Sequence, residues 1–202
     1  ETVLGRSYEG GLADIHAALD DLARHPATAR HLARKLAVHF VDDRPDPALV
    51  DHVAAAYSAS DGDLAATYSA LLDHPAAWTP ERRKVRQPFD FIAAALRALD
   101  MPGAQVAALP TRKTNGRLLG PMALMGQPWE RPDGPDGLPE EAAAWVTPQG
   151  MAARIQWAMH APQVLMDGLP DPRTFVVSAL GGTASADLAF AAGAAATRAE
   201  GV

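Results

Sequence analysis

Apolar side chains recur at intervals of three and four residues over the first half of the chain. The first segment shows this spacing at Leu12, Ile15, Leu19 and Leu22. Further segments are marked by Leu32, Leu36 and Phe40, by Leu49, Val50, Val53 and Tyr57, by Leu64, Tyr68, Leu71 and Leu72, and by Phe89, Ile92, Leu96 and Leu99. Since an α-helix turns once in about 3.6 residues, each set lies along one helical face. No segment alternates convincingly as a strand would, so the pattern predicts an all-α fold.

A side-chain acceptor followed by proline recurs along the chain. It occurs at Asp46-Pro47, Thr79-Pro80, Thr147-Pro148 and Asp171-Pro172. Asp or Thr accepts a hydrogen bond from an unpaired amide at the helix start, and proline has no N–H group to leave unpaired. Each pair therefore predicts the first residue of a helix. Ser60 and Asp63 have the spacing of a capping box and predict one more start.

The character of the chain changes between Asp100 and Pro139, where Gly and Pro are frequent. We interpret residues 100–139 as a long loop with a short helix near Leu118 to Met125. Helical patterns resume over roughly Pro139–Trp145, Pro148–His160, Pro172–Leu180 and Ala184–Arg198. The predicted organisation is an N-terminal helical subdomain over 1–99, the loop, and C-terminal helices over 140–202 that pack on the first part.

Two His-Pro dipeptides end similar helical segments, at His25-Pro26 and His74-Pro75. Because the residue before proline is pushed out of the α region, each pair predicts a turn into a new helix. The echo is consistent with duplicated helical hairpins or with chance similarity in an Ala-rich and Leu-rich chain. The fold class that follows is an all-α, multi-helix bundle of about eight to ten helices.

Composition narrows the function classes. Hydrophobic residues make up 48% of the 202 residues and aromatic residues 6%, so helices must pack through small side chains. A net charge of −6 argues against nucleic acid as a partner. Cysteine is absent, which excludes disulfides and thiolate chemistry. No window reaches the roughly 18 apolar residues that a membrane span needs.

Two groups of residues are candidates for a binding site. Arg86, Asp90 and Arg97 fall at helical spacing and predict a charged cluster beside the loop, most simply a structural ion-pair network. The second group combines loop and helix residues: Gln127, Trp129, Trp145, Arg154 and Trp157. Tryptophans and amides in long loops often form peptide or sugar binding surfaces, although they also pack loops onto helices.

Metal and nucleophile chemistry have little support. None of the 7 histidines has a second histidine at the spacing that a shared metal requires on a helix. The basic run of Arg82, Arg83, Lys84 and Arg86 is typical of a solvated helix face. Serine nucleophile and phosphate-loop motifs are absent. We therefore predict no metal, no cofactor and no catalytic residue within this chain.

Three longer matches carry a family resemblance. The run from His25 to Phe40 resembles a signature of the bacterial family catalogued as domain of unknown function 1800. Lys84 to Leu99 resembles its basic-x-basic-x-Pro helix start, and Met125 to Trp129 with Pro132 resembles its Gly-Gln-Pro loop. Order and spacing agree over nearly the whole chain, although Gly137-Leu138-Pro139 stands where the family usually has Gly-Trp-Pro.

The resemblance implies a helical, exported bacterial protein with a periplasmic or extracellular location and no established activity. It also implies a possible partner, because such proteins are commonly encoded beside a sulfatase-like companion. Members are typically longer, so we expect this chain, which starts at Glu1 rather than Met, to be the C-terminal half of a member.

Two hypotheses of function follow, with a third in reserve. The first is a non-catalytic domain that binds a partner protein or an envelope polymer through the loop and neighbouring helix faces. The alternative is a hydrolase acting on an envelope or extracellular polymer, with a site shared with the missing N-terminal half. The third is architectural support, which predicts a large exposed apolar patch.

Overall fold

The computed structural model describes residues 1–81 and 83–202 and confirms the all-α prediction. The chain divides into two compact units, Glu1–Lys84 and Val85–Val202. The β-structure in the described part is a small antiparallel hairpin of Thr2–Val3 and Arg6–Ser7, with an isolated bridge between Gly134 and Gly137. Among the described residues, every helix is too short or too polar to span a lipid bilayer.

The first unit is a set of consecutive helices. They are α1 (Leu12–Ala23), α2 (Pro26–Phe40), α3 (Pro47–Ala59), α4 (Leu64–Asp73) and a 3₁₀ turn (Pro75–Trp78). The core joins α2, α3 and α4 through Ala33, Ala37, Leu49, Val53 and Leu71. Small side chains on α2 let the backbone of α3 approach closely, which is the packing that the composition predicted.

The apolar spacing predicted α1 and α2 correctly, but in each helix one or more of the apolar residues that mark it are exposed. Leu12, Ile15, Leu19 and Leu22 are all exposed on α1. On α2 the buried residues are Ala29, Ala33, Ala37 and Val38, whereas Phe40 is exposed. No residue of α1 is buried, whereas α2 buries small residues where it meets its neighbours and packs Leu36 beside them.

Several of the predicted helix starts are confirmed by their hydrogen bonds. Asp46 accepts from the amide of Ala48 at 2.9 Å, Thr147 from Gly150 at 3.1 Å, and Asp171 from Arg173 at 2.9 Å. Each is followed by a proline in the first turn of the helix. The capping arguments from sequence were therefore correct at α3, α9 (Pro148–Leu165) and α10 (Pro172–Leu180).

The two His-Pro turns have the same geometry. Nδ1 of His25 accepts from the amide of Ala27 at 3.1 Å, and Nδ1 of His74 accepts from Ala76 at 3.2 Å. Both imidazoles are the N-terminal caps of the helical segments that follow, α2 and the 3₁₀ turn. The prediction that these histidines shape turns is confirmed, and the question of duplication stays open.

One predicted start was wrong, and at another the helix forms but is capped by a different residue. At Thr79-Pro80 no helix begins in the described residues, and Thr79 instead ends the 3₁₀ turn. At the other start, Asp63 is the cap of α4 and accepts from Ala66 at 2.8 Å, whereas the Ser60 hydroxyl donates back to the carbonyl of Ala56 at 2.8 Å. A capping motif is local, and it yields a helix only where tertiary packing stabilises the segment after it.

The basic run pairs with the acidic loop after α2. Arg83 Nη1 lies 3.2 Å from a carboxylate oxygen of Asp42, and Lys84 Nζ lies 2.7 Å from Asp43. Arg82, which belongs to the same predicted run, lies outside the described residues. The segment holding Arg83 and Lys84 is thus not a solvated helix face, because it is non-helical and its described cations are held by carboxylates.

The second unit begins with α5 (Pro88–Ala98) and contains most of the Gly/Pro-rich region. Its remaining elements are α6 (Gly103–Ala107), α7 (Thr111–Thr114), a π-helix (Asn115–Leu119), α8 (Gly120–Leu124), a 3₁₀ turn (Ala142–Trp145), α9, α10, a second 3₁₀ turn (Gly181–Thr183), α11 (Ala186–Ala194) and α12 (Arg198–Gly201). The core is formed chiefly by Ile92, Leu96, Met122, Met125 and Trp157.

The region of 100–139 is less irregular than predicted. Its first part holds α6, α7, the π-helix and α8, and only the stretch after Met125 lacks helices until Ala142. The frequent Gly and Pro residues end helices here without abolishing them, since Pro110 and Pro121 stand at or near helix starts. The boundary of the compact units at Lys84 and Val85 places α5 with this region. The subdomain boundary predicted at residue 99 stays a prediction.

Candidate functional site

The side chain of Gln127 connects the loop to the start of α5. It is 8% exposed, and its Oε1 accepts from the amide of Phe89 at 2.7 Å. Its Nε2 donates to Oε1 of Gln87 at 3.2 Å. Gln87, the N-cap residue of α5, makes no capping hydrogen bond with its own side chain. The loop residue therefore supplies the acceptor that the helix start lacks.

An exposed pair of aromatic rings lies next to this hydrogen bond. The rings of Phe89 and Trp129 have centroids 5.6 Å apart and planes inclined at 33°. Each side chain is 46% exposed. Offset rings at this separation attract each other, so the pair stays together while one side of it faces solvent. We call Phe89 and Trp129 the aromatic pair.

The guanidinium of Arg154 is buried on the inner side of α5. The residue is 6% exposed, and its Nη2 donates to the carbonyl oxygen of Arg86 at 2.8 Å. Its guanidinium carbon lies 5.1 Å from the ring centroid of Phe91, a cation–π contact. Nε has no hydrogen-bond partner. Among the described residues no carboxylate pairs with Arg154, and burial lowers its pKa because the charged form loses hydration.

Trp145 and Trp157 are buried and hydrogen-bonded. Trp145 is 2% exposed and donates to the carbonyl of Pro139 at 3.1 Å. Trp157 donates to the carbonyl of Arg117 at 2.7 Å. The ring centroids of Trp157 and Phe91 lie 5.6 Å apart in an edge-to-face arrangement. These two tryptophans pack the loop and the π-helix onto the rest of the unit. They do not form an exposed surface with Trp129.

The predicted ion pairs among Arg86, Asp90 and Arg97 do not form. All three side chains are exposed, and no salt bridge joins them within the described part of the chain. Asp90 lies in the first turn of α5 and Arg97 in the last turn. Each therefore has the sign that the helix dipole favours at its end. The helix ends therefore account for the positions of Asp90 and Arg97, and no binding site shared by the two residues is needed to explain them.

Of the candidate residues, the structure brings Gln127 and Trp129 together at the start of α5 and places Arg154 against Arg86. Sequence reasoning missed Phe89, Gln87 and Phe91. Phe89 was assigned to the hydrophobic face of α5 because it stands three residues before Ile92, and no signal in the sequence indicated that its side chain is half exposed. In the described part of the chain, no group of three His, Asp or Glu side chains is close enough to hold a metal ion.

The fold and this site define an all-α helical domain with an exposed aromatic pair at a helix start. The family model described as "Protein of unknown function (DUF1800)" matches residues 1–201. The chain belongs to this family, as the resemblance in three segments predicted. No curated protein and no solved structure matches the chain.

Proposed function

We propose that this chain is a binding domain for a partner protein, and that the aromatic pair is the centre of the contact surface. The observation that carries the proposal is the exposure of Phe89 and Trp129, which are held against each other at 5.6 Å. Large aromatic side chains that remain half exposed are enriched at protein interfaces, because each buries a large apolar area on binding.

The surroundings of the pair support a preorganised surface. The partly buried hydrogen bond from the Phe89 amide to Gln127 holds the loop on α5, so Trp129 lies next to Phe89 before any partner arrives. A surface that is already ordered loses less conformational entropy on binding. This favours recognition by the free domain over folding of the loop on the partner.

The second unit also exposes apolar residues on α9. Met151, Ile155 and Met159 follow one another at four-residue spacing and are 40%, 57% and 59% exposed. Such a stripe lies on one face of the helix, and contiguous exposed apolar surface of this kind can serve as an interaction site. It supports protein binding over binding of a polar polymer.

The partner that we propose is the sulfatase-like companion that the family resemblance implies, and the place of binding is the bacterial periplasm or exterior. The companion protein should be expressed from the neighbouring gene, purified, and titrated with this chain by calorimetry. Trp129→Ala and Phe89→Ala are expected to weaken binding about 10- to 100-fold each, the usual range for central aromatic residues.

Trp78→Ala is the matched control, because Trp78 is also an exposed tryptophan, at 68%, but belongs to the first unit. It should leave the affinity within about two-fold of the unaltered chain. Equal losses for Trp78→Ala and Trp129→Ala would contradict the proposed surface. Absence of binding by the unaltered chain would exclude this companion as the partner.

The hydrolase alternative has less support from the geometry. General acid and base residues must converge within hydrogen-bond reach of one substrate bond. Asp90 and Arg97 are exposed and unconnected in the described residues, and both polar atoms of the Gln127 amide are engaged by α5 and Gln87. Turnover of an envelope polymer that Asp90→Asn abolishes would overturn this judgement.

A further inference from the structure

A partly open cavity of about 160 Å³ lies between the π-helix, α8 and α9. Its floor and walls are largely apolar, with contributions from Pro121, Leu124, Ala153, Trp157 and Ala161. We propose that this cavity binds a small aromatic carboxylate. The site is separate from the aromatic pair, since neither Phe89 nor Trp129 lines it.

The size of the cavity suits one aromatic ring. Cavities of roughly 150 Å³ lined by apolar side chains hold a benzene molecule and remain dry without one. Trp157 lines this cavity and offers an aromatic surface that a ligand ring can meet in an offset or edge-on arrangement. A long or branched ligand would extend past the walls into solvent, and little of it would be buried.

The polar residues of the lining include a cation and no carboxylate. Arg117 and His160 line the cavity together with Gln156, and no Asp or Glu is among its described lining residues. Arg117 is exposed and forms no salt bridge in the described part of the chain, so its charge has no internal partner. Arginine binds carboxylates through a planar fork of N–H donors. An anionic ligand is therefore favoured over a neutral or cationic one.

The backbone beside the cavity is unusual in a way that points to a ligand site. Asn115–Leu119 form a π-helix. This conformation is rare in proteins, and where it occurs it is often found at functional sites. The indole of Trp157 donates to the carbonyl of Arg117 within it at 2.7 Å. At Gly120 an added Cβ would come within 2.9 Å of the Asn115 carbonyl oxygen, so this position favours glycine. Trp157 thus both lines the cavity and holds the π-helix through a hydrogen bond.

The experiment is a titration of the full chain, labelled with ¹⁵N at its 4 tryptophan indoles, with phenylacetate. The Trp157 indole signal should shift in a saturable way, with a dissociation constant below about 1 mM. The signals of Trp78, Trp129 and Trp145 should stay unchanged, because these side chains do not line the cavity. Phenylacetamide, the neutral analogue, should bind at least about five-fold more weakly.

Variants separate the charge from the cavity. Arg117→Gln retains the carbonyl that Trp157 uses and should remove the preference for phenylacetate over phenylacetamide. Arg112→Gln, a change at an exposed arginine of α7 outside the cavity, should preserve it. Ala153→Leu should fill the cavity and abolish the shift of Trp157 for both compounds.

Three results would overturn the proposal: no saturable shift of Trp157, equal affinity for the two compounds, or equal effects of Arg117→Gln and Arg112→Gln. A shift of Trp157 caused by the partner protein, without one caused by phenylacetate, would also overturn it. Trp129→Ala should leave phenylacetate binding intact, so failure here is distinguishable from failure of the proposed function.

Discussion

The side-chain oxygen of Gln127 accepts a hydrogen bond from the backbone amide of Phe89 at 2.7 Å, across 38 positions of sequence. A loop residue thereby caps the start of α5, whereas Asp46, Thr147 and Asp171 cap their own helices from the N-cap position itself. The consequence is structural coupling: the start of α5, the loop after Met125 and the aromatic pair are ordered together.

Replacement of Gln127 by alanine should destabilise the protein. Phe89 and Gln87 would each lose a hydrogen-bond partner in a partly buried place, which costs about 1–3 kcal/mol of the free energy of unfolding. Urea denaturation measures the loss. Gln149→Ala, at an exposed glutamine in the first turn of α9, is the control and should cost less than about 0.5 kcal/mol. Equal losses would show that the Gln127 hydrogen bonds contribute nothing to stability.

The two Thr-Pro pairs should respond differently to loss of the hydroxyl. Thr147→Ala removes the acceptor for the amide of Gly150 and should cost about 1 kcal/mol of stability. Thr79→Ala alters the same dipeptide where no helix starts in the described residues, and it should cost nearly nothing. Thermal unfolding of both variants compares them directly. A similar shift in melting temperature would contradict the assignment of Thr147 as a cap.

Replacement of Arg154 should separate its packing from its charge. Methionine keeps most of the side-chain length, although it loses the guanidinium contact with Phe91. It also removes a buried cation that has no carboxylate partner in the described residues, so the free energy of unfolding should change by less than about 1.5 kcal/mol. Alanine leaves a cavity and should cost at least about 2 kcal/mol. Denaturant titration of both variants tests this, and a methionine variant as unstable as the alanine variant would contradict it.

The pair of Arg24 and Asp61 should make stability depend on pH in acid. Arg24 donates to Asp61 at 2.7 and 3.2 Å, and this hydrogen bonding lowers the pKa of the Asp61 carboxyl below its ordinary 3.8. A carboxyl whose pKa is lower in the folded state stabilises the fold above its unfolded pKa, and the contribution is lost as pH falls through the folded pKa. The stability difference between the unaltered chain and Asp61→Asn should therefore shrink below about pH 4.

Asp100→Asn is the matched control for that comparison. Asp61 and Asp100 both have φ of +56°, a backbone conformation that asparagine adopts readily, so neither change strains the chain. Asp100 is exposed and has no salt bridge among the described residues. Chemical denaturation from pH 7 to about pH 3 should show a pH-dependent difference for Asp61→Asn alone. The same dependence in both variants would contradict a role for the ion pair.

Several features of the site could be predicted from sequence, and several could not. Gln127 and Trp129 were recognised as candidates because an amide and an indole in a Gly/Pro-rich segment are typical of functional loops. Their contact with Phe89 was not predictable, because the residues are distant in sequence and no local pattern links them. Trp145 and Trp157 were grouped with Trp129, although only the fold shows that they are buried.

The sequence by itself determined the helical class and several helix starts, because capping hydrogen bonds and proline geometry act within two or three residues. It also determined the family, through three segments of matching order and spacing. The tertiary structure alone decided which helix face is buried, as α2 shows with Ala33 and Ala37. It also decided that Gln127 caps α5, since burial and long-range hydrogen bonds depend on which segments pack together.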